Sequence, residues 1–231
     1  EIKQYQAKVT LDKLKLSQLL SGTKVEEIFL LESRVASTKT SLESARNELE
    51  DVKLEIENDL MEQYALARDY SETVLLYADN AIKALDGIYT NQNKFEGIFV
   101  VPDSQKKSEA EWQVMLARSA FKNIKSIYDS LKSDSSRQNI DIALSQFKTN
   151  LEVIRASLQK TAEIFDATVM IFGAPDLATF RTTVAVQRSN INSSQTYILT
   201  MEQNIASLKI TTQVELNKAK HNIERMEVIL K

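Results

Sequence analysis

Cysteine is absent from the 231 residues, which removes disulfides, thiol nucleophiles and every Cys-based metal site. Glycine occurs four times and proline twice. Strands need turns, and turns draw on these two residues, so an all-β fold is disfavoured. There is one histidine, His221, so a zinc site would have to be built from carboxylates alone. The net charge is −3, and no basic stripe of the kind nucleic-acid binders carry is present. Nor is there a Lys/Arg-rich amphipathic face for a membrane surface. No stretch is long and apolar enough to cross a bilayer, and no signal peptide is seen. The chain begins at Glu1, which reads as a piece of a longer or processed protein whose anchor or address lies elsewhere.

What remains is a composition suited to long helices. It is 43% hydrophobic and 26% charged, with Ala, Leu, Glu, Lys, Gln, Ser and Thr dominant. A Lys- and Leu-rich helix over 2–20 meets a break at Ser21-Gly22-Thr23. Gly22 suits the left-handed position that ends a helix, and Thr23 with Glu26 forms a capping box. The chain either kinks or folds back here.

From this break a regular strip begins. Ile28, Leu31, Val35, Thr38, Leu42, Ala45, Leu49, Val52 and Ile56 alternate by three and four, which is a heptad seam. A seam this narrow buries one partner helix rather than a whole core. After Leu60 the apolar face widens through Tyr64, Leu66, Ala67, Tyr70, Val74, Leu75, Tyr77, Ala78, Ile82, Leu85 and Ile88, as in a bundle helix, and fades near 87–93.

Residues 90–107 are irregular and hold the apolar run Ile98, Phe99, Val100 and Val101 between Gly97 and Pro102. This run either caps the open end of a bundle or forms an exposed docking loop. A helix capped by Ser108 and Glu111 follows, burying Trp112, Met115, Leu116, Ala120, Phe121, Ile124, Ile127, Tyr128 and Leu131. A turn at 133–136 leads to a helix capped by Ser135 and Gln138, which runs to Ile171 with Ile140, Ile142, Leu144, Phe147 and Val169 among its buried positions. Gly173 and Pro175 close it. The last helix starts near Asp176 with a bundle-like face (Leu177, Phe180, Val184 and Val186) and turns polar at 190–195. It then shows a second seam: Met201, Ile205, Leu208, Thr212, Leu216, Ala219, Ile223, Met226 and Leu230.

Pairing the two seams antiparallel gives each a partner. The expected fold is all-α: a long antiparallel coiled-coil hairpin with an inserted antiparallel four-helix bundle. Its parts are an N-terminal leg over 1–60, a bundle over 61–195 and a C-terminal leg over 196–231.

No catalytic set, cofactor site or metal site is legible, and an enzyme is the least expected class. The acidic run from Glu48 to Glu62 lacks the Glu-x-x-His pairs of di-iron bundles and reads as a solvated flank. Asn192-Ser193-Ser194 matches a glycosylation sequon but falls within an expected helix.

The segment SQLLSGTKVEEIFLLESRVASTKTSLESARNELE resembles the helical hairpin of HlyD-type membrane fusion proteins, also called periplasmic adaptor subunits. Leu19, Leu20, Gly22, Glu26, Glu27, Ile28, Glu32, Val35, Ala36, Leu42, Ala45 and Leu49 carry the resemblance. The C-terminal seam resembles the descending helix of the same hairpin. Lys24 stands where Arg is usual and Val25 where Pro is common. The tip motif by which efflux adaptors touch an outer-membrane channel is missing, and the insertion takes its place.

The resemblance implies a structural part of an efflux or secretion pump in the periplasm or extracytoplasmic envelope. It would be a rigid spacer and protein–protein docking element. Its partners would be the transporter and envelope components of the pump. The full-length protein would be a homo-oligomer, with no nucleic acid partner and no membrane insertion by this part. Two other readings fit a bundle on legs. One is the extracytoplasmic ligand-sensing bundle of a receptor. The other is a generic coiled-coil scaffold, which the lack of a fixed-period repeat disfavours.

Overall fold

The computed structural model describes residues 2–21, 23–89, 99–100, 104–167, 169–170 and 176–230. The protein is all-α. Five helices make up almost all of these residues: α1 (Ile2–Ser21), α2 (Thr23–Tyr89), α3 (Ser104–Ser133), α4 (Arg137–Ala167) and α5 (Asp176–Ile229). The expected seam helix and first bundle helix are one continuous α2 of 67 residues. It holds no proline, and its one glycine, Gly87, lies in its last turn, so nothing along it removes a backbone donor or invites a break.

Three boundaries differ from the sequence reading. Helix α3 starts at Ser104 rather than at a Ser108 cap. The Ser108 hydroxyl instead donates to the Ser104 carbonyl at 3.1 Å, the back-bond of a serine inside a helix. Helix α4 ends at Ala167, short of Ile171. The residues expected to extend it form β2 (Val169–Met170), paired antiparallel with β1 (Phe99–Val100) from the segment read as irregular. Phe99 lies opposite Met170 and Val100 opposite Val169; aromatic and β-branched residues suit this pairing. Between α3 and α4, Asp134 Oδ1 accepts from the Ser136 amide at 2.9 Å. The Ser136 carbonyl accepts the Ile140 amide at 3.0 Å. The first residue whose carbonyl enters the ladder is therefore Ser136, one place after the expected Ser135 cap. Gly22, Gly97, Ile98, Val101, Pro102, Gly173 and Pro175 lie outside the described residues.

The chain divides into two compact units, Glu1–Glu57 with Ile210–Lys231, and Asn58–Lys209. Helices α2 and α5 contribute to both. In the first unit, the positions of α2 shielded from solvent between residues 25 and 57 are Thr38, Leu42, Ala45, Leu49, Val52 and Ile56. They step by four and three, so they form one stripe. On α5, Thr212, Leu216, Ala219, Ile223, Met226 and Leu230 are shielded at the same spacing. Arg46 Nη2 reaches Glu227 Oε1 at 2.8 Å beside these stripes. Ile28, Leu31 and Val35, read as part of the same seam, are exposed.

In the second unit the core comes from four helical segments. The buried positions of α2 run Leu60, Tyr64, Ala67, Ser71, Val74, Ala78, Ala81, Leu85 and Ile88. Those of α5 run Leu177, Val184, Ile191, Ile198 and Ile205, seven apart, with Ser194 and Met201 between. The stretch 190–195, read from sequence as a polar thickening, therefore carries core residues at Ile191 and Ser194. Helix α4 buries Phe147, Leu151, Ile154, Leu158, Ile164 and Phe165. Helix α3 buries Ala110, Val114, Ala117, Ala120, Ile124 and Leu131.

Trp112, Met115 and Leu116, expected inside, lie outside that stripe, and Trp112 is 58% exposed. Three alanines share the inner face of α3 with Val114, Ile124 and Leu131, and the alanines let helices approach closely. Leu66, Ile142 and Val186 are likewise exposed rather than in the core.

Candidate docking surfaces

Polar bonds in the second unit fix which segments neighbour one another. Along α4 and α5, Asp141 meets Lys209 at 2.8 Å, Lys148 meets Glu202 at 2.6 Å, and Glu152 meets Gln195 at 2.9 Å. Further along, the rings of Phe165 and Phe180 are 6.4 Å apart. One number rises as the other falls, so these helices run antiparallel. Asn123 donates to Asn150 at 3.2 Å between α3 and α4, and Arg118 Nε donates to Asp86 at 2.8 Å between α3 and α2. Tyr64 and Tyr89 of α2 bond Asp141 and Thr161 of α4, rising together.

Two tyrosines organise this network. Tyr64 donates to Asp141 Oδ1 at 2.9 Å, and the same carboxylate accepts from Lys209. The Arg137 guanidinium and the Lys209 ammonium lie 5.6 and 5.5 Å from the Tyr64 ring centre. Burial pushes the Tyr64 hydroxyl up from 10.0, while its contact with Lys209 pulls the other way. The Asp141 hydrogen bond, then Tyr64, raises the Lys209 ammonium. Tyr70 stacks on Tyr197 at 3.8 Å between ring centres and donates to Ser194 at 3.5 Å. Burial raises its hydroxyl too.

Burial pushes the Tyr89 hydroxyl up to about 12, against the lowering effect of the Thr161 hydrogen bond. Near the α4–α5 contact, the Arg155 hydrogen bond, then that of Gln195, holds Glu152 below the usual carboxylate range. These groups are cross-links. Each is satisfied by a neighbour in the fold, and together they hold no reacting geometry.

The groove between α3 and α4, lined by Asn123, Ser126, Ile127, Gln146 and Asn150, is shallow and polar. Among the described residues no group of three or more His, Asp or Glu side chains is placed to hold a metal. Glu48, Glu50, Asp51, Glu55, Glu57, Asp59 and Glu62 are all exposed. His221 is 82% exposed, 3.7 Å from Glu224. Among the described residues no helix is long and apolar enough to cross a membrane.

Surfaces are the other feature of the described residues. The seam residues divide between the two units. In the first, Leu42 and Ile56 are buried and Leu49, Val52, Leu216, Ile223, Met226 and Leu230 half-buried. In the second, Met201 and Ile205 are buried and Leu208 half-buried. Of the apolar run near residue 100, Phe99 and Val100 form β1, and Ile98 and Val101 lie outside the described residues.

The sequence reading took Ile28, Leu31 and Val35 as seam and passed over Val25, Phe29 and Leu30 beside them; all six are exposed on α2. The run Ile28-Phe29-Leu30-Leu31, apolar on four successive positions, was the available signal, since a helix apolar all round is normally covered. No family model, curated protein or solved structure matches this chain.

Proposed function

We propose that this chain is the helical hairpin region of a membrane fusion, or periplasmic adaptor, protein of an efflux or secretion pump. It serves as a spacer and protein–protein docking element in the extracytoplasmic envelope, facing the transporter and envelope components of the pump. In this reading the first unit is the pair of antiparallel legs, and residues 58–209 are an antiparallel four-helix bundle inserted between them.

The observation that supports the reading is the shielding of two heptad stripes from opposite ends of the chain, with the Arg46–Glu227 ion pair between the helices that carry them. The segment that resembles the adaptor hairpin runs into the first stripe. Opposite directions of α4 and α5, with the three-residue turn between α3 and α4, support the bundle.

The test is the genomic sequence on both sides of this segment. Half-lipoyl motifs on both flanks are expected, because the adaptor hairpin is inserted in a lipoyl domain. Their absence from both sides overturns the reading. Transmembrane helices on both flanks, with thermal stabilisation of the chain by a metabolite, point instead to a sensing bundle.

A further inference from the structure

The apolar cluster on the N-terminal part of α2 continues a strip that is already an interface. Ile28, Leu31 and Val35 share the register of Leu42 and Ala45, which are 9% and 5% exposed. Yet Ile28 is 54%, Leu31 57% and Val35 42% exposed. Phe29 and Leu30 beside them are exposed as well. Contiguous apolar surface of this kind marks an interaction site.

The flanking charges say what fits. With Ile28 and Val35 at a and Leu31 at d, the g positions are Glu27 and Arg34, and the e positions are Glu32 and Lys39. All four are exposed. A parallel in-register pair of copies places g opposite the e five residues later. That sets Glu27 against Glu32 and Arg34 against Lys39, repelling twice on each side.

An antiparallel pair that stacks Ile28 on Leu31 of the other copy behaves differently. It sets Glu27 against Arg34 of the other copy, and Arg34 against its Glu27. The next antiparallel register, one heptad along, puts Arg34 on Arg34 and Glu32 on Glu32. The first of these registers stacks Ile28 and Leu31 in both central layers and pairs both charges, with Val35 opposite Lys24 of the other copy. It ends near residue 36, short of Leu42, where the stripe shared with α5 is already shielded.

We propose that the exposed seam around Ile28–Val35 is a self-association site, closed by the same segment of a second copy of this chain running antiparallel, with two reciprocal Glu27–Arg34 pairs. The interface is isologous, so it makes a closed dimer rather than an open filament. It is independent of the export-pump reading: a monomer leaves the flanking-sequence test untouched.

Sedimentation velocity of the whole chain in low salt, from low to high micromolar, tests it. The expected result is a reversible dimer. Glu27→Arg weakens it about tenfold, because it replaces two attractions with two repulsions. Glu27→Arg combined with Arg34→Glu restores it. The chain has no cysteine, so introduced ones report cleanly. An equimolar mixture of Ile28→Cys and Leu31→Cys chains should form mixed disulfides faster than either variant alone. A monomer at all concentrations overturns the proposal. So does a dimer indifferent to Glu27→Arg, or an Ile28→Cys chain that links to itself faster than to Leu31→Cys. Position 27 is exposed, so the charge variants keep the helix, and circular dichroism checks that they do.

Discussion

Arg46 and Glu227 meet at 2.8 Å although 181 positions separate them in the chain. Their side chains are 58% and 45% exposed, so water screens the pair. Such a contact contributes less than about 1 kcal/mol. It marks the alignment of the two helices without being what holds them.

The first prediction separates marker from cause. Arg46→Ala should lower stability by about 0.5 kcal/mol or less, within the range of exposed pairs. Leu42→Asp places a charge in the buried stripe and should open the first unit. Residues 58–209 should stay folded. Limited proteolysis followed by circular dichroism reads this: cleavage within 24–57 and 210–231 with a surviving core is expected. Collapse of the whole chain would show that the two units are not separable.

The second concerns the Tyr64 hub. Asp141 accepts from both Tyr64 and Lys209; Tyr64 is buried and Lys209 exposed, so Asp141→Ala strands the Tyr64 hydroxyl while Tyr64→Phe removes that donor. Asp141→Ala should cost about 2 kcal/mol and Tyr64→Phe about 1, by urea unfolding. Equal costs would show that the hub does not act as a unit.

The third is a pH dependence. Burial raises the Tyr89 hydroxyl from 10.0 to about 12. A folded pKa above the unfolded one means that the stabilisation is complete below pH 10 and is lost as pH climbs toward 12. Unfolding free energy should therefore fall over that window, and Tyr89→Phe should flatten the fall. Parallel slopes for the two proteins would rule out this assignment.

The fourth uses an orphan. Ser157 Oγ is buried with no hydrogen-bond partner. Desolvating a hydroxyl without replacing its bond is costly, so Ser157→Ala should be stabilising or neutral. A rise of about 0.5–1.5 kcal/mol by thermal unfolding is expected. A clear loss would place an ordered water on that hydroxyl.

How much of this was legible in the sequence depends on what each residue type reports. Heptad spacing reported the shielded stripes, because alternation by three and four is a property of one helix and needs no knowledge of its neighbours. It could not report where a partner stops. Ile28 and Leu42 look alike in sequence but differ in cover. Size misled on α3, where Trp112 and Met115 were expected inside beside Ala120, and Ala110 and Ala117 are there with it instead. Alanine gives a weak signal in any hydropathy pattern, yet it is what a close helix contact demands. Ile191 and Ile198 were missed because polar neighbours hid them, although the step of seven from Leu177 was there to be counted. The two-residue strands could not be foreseen, since their pairing joins residues 99–100 and 169–170 across two helices. The candidate surface at 25–35 was in view only as part of a seam, and its exposure is what singled it out.

The three-residue turn between α3 and α4 has a consequence for how the chain comes to be folded. Closing that hairpin sacrifices little chain entropy, whereas bringing residue 46 to residue 227 costs roughly 3–4 kcal/mol more by the length dependence of loop closure. Helices α3 and α4 therefore associate early. The unit over 58–209 is complete in sequence well before Glu227 is made. During synthesis, the stripe from Thr38 to Ile56 waits, uncovered, through the production of some 170 further residues. Its closely spaced lysines, arginines and glutamates serve the nascent chain as much as the finished one, by keeping a long unpaired helix in solution until the last segment arrives.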